Sequence, residues 1–249
     1  MTTRQQRTRA PSDPLHWDGL SRFVRMGAWA AIVSGAAMAA SLLLEWLVVP
    51  HERLGTEAFL TGSYSVSSGP RLVSVALLPW ALVGIYGSQS RSAGTFGLWS
   101  FVLVFLGATL TVGNAWAEVF VWPTLAQVSP ETMSGPVTAF PPYLVAGLNA
   151  SFPLFGLGLI LFGAATFRAG VYPRWASVLL VVSIPVTMFL DPTPGSFQES
   201  IGQVSLGIAV AALGSHALRA PSPGTLSKVR VRAYREPAAT TEGACPTQT

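Results

Sequence analysis

Six apolar stretches of sixteen residues or more divide this chain, and the loops between them hold nearly all their Lys and Arg on one side. A bilayer core asks for about 20 apolar residues per helix and tolerates no lipid-exposed backbone group without a partner, so few other folds suit such a pattern. The expectation is an all-α fold, a polytopic transmembrane bundle of six helices with both termini cytoplasmic. The spans read as Gly27 to Val49, Leu72 to Gly87, Thr95 to Trp122, Tyr143 to Phe167, Trp175 to Leu190 and Ile201 to Leu218. With the N-terminus inside, thirteen of the fifteen Lys and Arg fall on the cytoplasmic side and only Arg53 and Arg71 outside. Basic residues retained on the cytoplasmic side set orientation in just this way.

Only 10% of the residues are charged, against roughly 25% in an average soluble domain. Five of the basic residues precede residue 26 and five follow residue 218, so the basic character belongs to the two ends. Neither end has the base-reading or stacking groups of a nucleic-acid module, and no nucleic-acid partner is expected. Residues 1–26 read as a basic cytoplasmic segment whose Asp13 and Pro14 open an interfacial helix, with Trp17, Leu20 and Val24 on one face. Residues 27–218 form the six-helix domain, and 219–249 read as a disordered basic cytoplasmic tail. Its Lys228, Arg230, Arg232 and Arg235 suit anionic lipid, at about 1 kcal/mol for each basic residue near the surface. The small residues from Ala37 to Ala40 resemble a signal-peptide cleavage site, but the polar lead is long and apolar sequence continues to Val49.

Two carboxylates lie inside apolar sequence, where a charge costs a few kcal/mol. Glu45 and Glu118 each fall five residues before a proline, Pro50 and Pro123, and so share a depth near the outer end of their helices. Each heads a stripe of polar or small residues at helical spacing: Ser34, Met38, Ser41 and Glu45 on the first span, Gly107, Thr111, Asn114 and Glu118 on the third. The candidate site is therefore Glu45, Glu118, Asn114, Ser41 and Thr111, facing outward and binding a cation or a proton. Two neighbouring carboxylates favour retention of a proton by one of them. The plainer account is that each glutamate reaches headgroup water or pairs with Arg53, Arg71 or His51. The offset of 73 residues between the stripes continues to Asp191, which fits either a repeated hairpin or a helix stop at Asp191 and Pro192.

Small residues spaced four apart, Ala31, Gly35 and Ala39, then Gly207 and Ala211, are expected to pack the bundle internally. Pro79, Pro153 and Pro185 fall within spans, where a proline kinks a helix or frees a carbonyl. No enzyme is expected. The histidines His16, His51 and His216 form no helical metal pair, and no nucleophile elbow, P-loop or zinc-protease motif occurs. Cys245 stands alone in the tail, so neither a metal nor a cofactor is implied.

The run Gly170, Val171, Tyr172, Pro173, Arg174, Trp175, Ala176 resembles a proline-arginine-tryptophan inner loop of uncharacterised small six-span bacterial integral membrane proteins, of actinobacterial type. The resemblance implies a bacterial plasma membrane, with Arg174 and Trp175, like Trp17, as membrane-surface anchors. It brings no catalytic residues. Two functions stand side by side: an accessory, structural or sensing membrane protein with a protein partner at its outer loops or tail, and a small permease or ion-coupled carrier using the site around Glu45 and Glu118.

Overall fold

A computed structural model describes residues 14–48, 59–60, 62–134, 140–189 and 197–219. His51, Arg53, Asp191, Cys245 and nearly all of the basic tail lie outside the described residues, as does the side chain of Trp17. The chain divides into two units, one of them Met1–Arg22 with Arg219–Thr249 and the other Phe23–Leu218, which carries both glutamates. The described residues are all helical apart from turns: α1 (Pro14–Val48), α2 (Gly62–Trp116), a π-helical turn (Ala117–Val121), α3 (Trp122–Val128), α4 (Pro130–Ser134), α5 (Pro142–Ala169), α6 (Arg174–Phe189) and α7 (Phe197–Arg219). No break in α1 separates the anticipated interfacial segment from the first apolar span.

Helix α2 is a hairpin rather than a rod. At Gly94 the backbone adopts φ 60 and ψ −161, a conformation open essentially to glycine alone. Tyr86 and Phe101 would stand about 22 Å apart along a straight helix, yet their rings stack with centroids 4.5 Å apart. The arms 62–93 and 95–116 are therefore antiparallel. A second left-handed glycine, Gly170 with φ 65, ends α5 and turns the chain into α6.

Small residues decide which legs touch. A Cβ on Gly27 would lie 2.5 Å from the Cα of Gly84, closing α1 on the first arm of α2. One on Gly107 would lie 2.4 Å from the Phe155 nitrogen, and one on Gly158 2.6 Å from Val104, so the second arm lies backbone to backbone on α5. Gly163 meets Ser177 and Val181 of α6, Gly202 meets Ser183 and Thr187 between α7 and α6, and Gly35 meets Gly207 and Ala211 between α1 and α7. Each leg thus touches the next, and the last touches the first. In the membrane such close approach substitutes dispersion contact for a hydrophobic force that lipid cannot supply. Ser34 donates to Ser74 O at 2.8 Å and Ser41 to Ser67 O at 2.7 Å, adding hydrogen bonds to the first seam.

Phe162, Leu82, Ile85, Leu159, Leu180 and Leu213 fill the interior and are at most 1% exposed. Large apolar side chains cover the outside, among them Trp29, Leu43, Trp80, Trp99 and Leu157, each more than half exposed. Among the described residues, four helical stretches are long and apolar enough to cross a membrane: Arg22–Glu45, Val66–Val128, Pro142–Ala169 and Ile201–Arg219. The second contains the Gly94 hairpin, and Arg174–Thr187 is a shorter apolar helix.

Two expected loops are partly helical. The segment between the first two expected spans, which ends at Arg71, enters α2 at Gly62, with Pro70 and Arg71 inside the helix. Ser67 and Ser68 bond back to Tyr64 O at 3.0 and 2.8 Å, which lets these turn-favouring residues sit in a helix. The segment after Pro123 contains α3 and α4 rather than plain loop. Pro123 does not stop the third span, because the π-turn before it widens the ladder and Trp122 N–H reaches back to Ala117 O. A proline ring would otherwise strike the carbonyl four residues earlier.

Candidate functional site

Glu45 on α1 and Glu118 in the π-turn meet on one guanidinium, that of Arg71 on the first arm of α2. Arg71 Nη1 lies 2.8 Å from Glu118 Oε1 and Nη2 lies 3.1 Å from Glu45 Oε2. The side chains are 21% (Arg71), 31% (Glu45) and 24% (Glu118) exposed, so the triad is sheltered without being sealed. Tyr64 Oη donates to the same Glu118 oxygen at 2.9 Å. Gln203 Oε1 on α7 stands 3.5 Å from Nη2, too long for a strong hydrogen bond. Burial, followed by the charge of Glu118, pushes the Tyr64 phenol up, so it remains a proton donor across the neutral range.

Local structure explains how the three charges converge. Helix α1 carries Glu45 up from the seam where Ser41 bonds Ser67 O, while Arg71 lies one turn beyond Ser67 on α2. The π-turn holds Glu118 near its start, and such turns often re-aim a functional side chain. Two carboxylates against one guanidinium leave the triad with a net charge of −1 when all three are ionised. Charge-assisted contacts of 2.8–3.1 Å reach the guanidinium from α1 and from the π-turn at once.

The other three candidate residues go elsewhere. Ser41, 1% exposed, spends its hydroxyl on Ser67 O. Thr111 bonds back to Gly107 O at 2.9 Å within its own helix. Asn114 donates from Nδ2 to Leu148 O at 3.0 Å and to Ser151 Oγ at 2.7 Å, tying the second arm of α2 to α5. The five residues therefore divide into an ion triad that takes Glu45 and Glu118, and three separate packing contacts. Tyr64 and Gln203 belong to the triad's surroundings and do not stand out in the sequence. A lone amide in an apolar span is the available signal for Gln203, while Tyr64 is hidden in a segment that reads as loop.

An apolar groove of about 280 Å³ opens between Phe59, Trp122, Met133, Phe140 and the start of α5, with Asn149 as its one amide. None of the five candidate residues lines it. At the Gly94 end, Arg174 begins α6 with its guanidinium 5.7 Å from the Phe167 ring, and Trp175 beside it is 56% exposed. No cluster of three or more potential metal ligands occurs among the described residues. Compared with protein-family models, curated proteins and solved structures, the chain matches none.

Proposed function

We propose that the chain is a six-span, non-catalytic membrane protein of accessory or sensing type, in which the Glu45–Arg71–Glu118 triad locks the outer half shut. The Gly94 hairpin supports counting the 63-residue apolar stretch as two crossings, and α6 as a shorter sixth. Together with the basic bias of the loops, this favours both termini in the cytoplasm, and the resemblance of the run 170–176 implies a bacterial plasma membrane. Arg174 and Trp175 then anchor the inner surface, and the basic tail adds contact with anionic lipid. A protein partner would be met through the outer segments or the tail.

The observation that carries the locked reading is the shared arginine. A carboxylate pair that had to take up and release a cation would gain little from a guanidinium held at 2.8 and 3.1 Å. Polar groups that would extend the site inward, Ser41 and Asn114, are spent on neighbouring helices. A second reading, an ion- or proton-coupled carrier, is favoured by the −1 balance of the triad and by the π-turn at Glu118. The test is proton and sodium flux in liposomes holding the purified protein. The locked reading predicts flux no greater than in empty liposomes; flux abolished by Glu118→Gln in a folded protein would replace it with the carrier.

A further inference from the structure

Far from the triad, at the Gly94 end, two buried polar atoms lie on helices that both pack against α5. Gln89 on α2 is 0% exposed and donates from Nε2 to Thr166 Oγ1 at 2.9 Å, but its Oε1 has no hydrogen-bond partner among the described residues. Reversing the amide does not help, because Thr166 already gives its only hydroxyl proton to Phe162 O at 2.8 Å. Ser177 on α6 is likewise 0% exposed, and its Oγ has no partner among the described residues. Its neighbours on the same helix behave differently, since Ser183 and Thr187 both bond back to carbonyls of their own helix.

The packing brings these two residues to one stretch of α5. Gln89 reaches Thr166, while a Cβ on Gly163, one helical turn away on the same face, would stand 3.2 Å from Ser177 O. An unpaired buried amide oxygen and an unpaired buried hydroxyl each carry a desolvation cost that native proteins nearly always offset. One wants a donor, and the other can give a proton or accept one. A neutral molecule that donates to Gln89 Oε1 and accepts from Ser177 Oγ satisfies both. No cluster of carboxylates, histidines or cysteines among the described residues is present to favour a metal ion instead.

We infer that this end of the bundle holds an internal water site among Gln89, Thr166 and Ser177, bridging α2 to α6 across α5. Occupied by water, the three helices are joined by a polar contact at the end opposite the ion triad. The site lies towards the end of the bundle that carries Tyr172, whose hydroxyl pairs with Ser88 and whose ring stands 5.7 Å from that of His216. Water so placed would be held by hydrogen bonds, with Phe162 and Leu180, 0% and 1% exposed, one helical turn from Thr166 and Ser177.

Radiolytic labelling of the full chain in oxygen-18 water tests the inference, because a short X-ray pulse makes hydroxyl radicals wherever water resides. Oxygen-18 should appear on Phe162 or Leu180, which bulk radicals do not reach, and should be lost in Ser177→Ala and in Gln89→Met. Absence of label at both residues overturns the inference, as does label that persists undiminished in both variants. Should Gln89→Met fail to fold, Ser177→Ala decides alone. Its melting temperature is expected to fall by about 2–4 °C. A rise instead would mean that the hydroxyl was buried dry, and would also overturn the site.

Discussion

Removing the guanidinium of Arg71 is the sharpest perturbation the fold offers. At about 3 Å and an effective dielectric constant of about 20, each ionic contact has a gross attraction of roughly 5–6 kcal/mol. Most of that is offset by desolvation. Exposed pairs net about 0–1 kcal/mol, whereas breaking a buried pair costs about 3–5 kcal/mol. With side chains 21–31% exposed, the triad lies between these limits. Arg71→Met breaks both contacts and leaves two carboxylates facing each other without a counter-charge, so it should cost about 2–4 kcal/mol. For a chain of this size the melting temperature should fall by about 5–15 °C. The assay is thermal unfolding of the purified protein in nanodiscs, followed by tryptophan fluorescence. Neutralising the remaining charges as well, in Arg71→Met/Glu45→Gln/Glu118→Gln, should restore more than half of the loss, because the penalty arises from the unbalanced charge. A single variant within about 1 °C of wild type would mean that the triad carries no such energy. A triple variant no more stable than the single one would mean that unbalanced charge is not the cause.

Gly27→Leu should prevent stable assembly, since even a Cβ there falls 2.5 Å from Gly84 Cα, whereas Gly113→Ala meets nothing within 4 Å and should be tolerated; size-exclusion profiles separate the two. Gly94→Ala should cost about 1–3 kcal/mol from its φ of 60 alone, read as a lower melting temperature. Asn114→Ala should cost about 1–3 kcal/mol by removing the two hydrogen bonds that tie the second arm of α2 to α5, with Asn114→Asp no better, and unfolding curves for the two report it. Burial pushes the Tyr172 phenol up to about 12. Its raised value favours the protonated folded state, so stability is full below about pH 10 and declines as pH rises towards 12; Tyr172→Phe should flatten that decline in alkaline melts.

Hydropathy marks the helices well because each span must satisfy its own backbone, a constraint that acts locally in sequence. The shared depth of Glu45 and Glu118 is legible for the same reason, from five residues to a proline in each case. What joins them is less legible. Arg71 stands beside Gly69 and Pro70 in a serine-rich run that reads as loop, and only tertiary contact of Arg71 with Glu45 and Glu118, and of Tyr64 with Glu118, makes that run a helix worth forming. The stripe from Gly107 to Glu118 assumes an unbroken α-helical register. Gly107 and Asn114 do share a face, against Phe155 and Leu148 of α5, but the π-turn that begins at Ala117 resets the register and sends Glu118 to Arg71 instead. Hydropathy patterns do not report a single widened turn. The small-residue stripes are easier to interpret, since Gly35 and the pair Gly207 and Ala211 meet each other inside the bundle.

Closure of the bundle by the triad is tested most directly at Ser41, one turn deeper than Glu45 on α1 and 1% exposed. In a Cys245→Ser background, Ser41→Cys would be challenged in intact cells with a membrane-impermeant thiol reagent, with and without Arg71→Met. The locked bundle predicts no labelling with Arg71 present and labelling once it is removed. Labelling of Ser41→Cys with the triad intact would mean a water-filled path past Glu45, and the bundle would not be closed there.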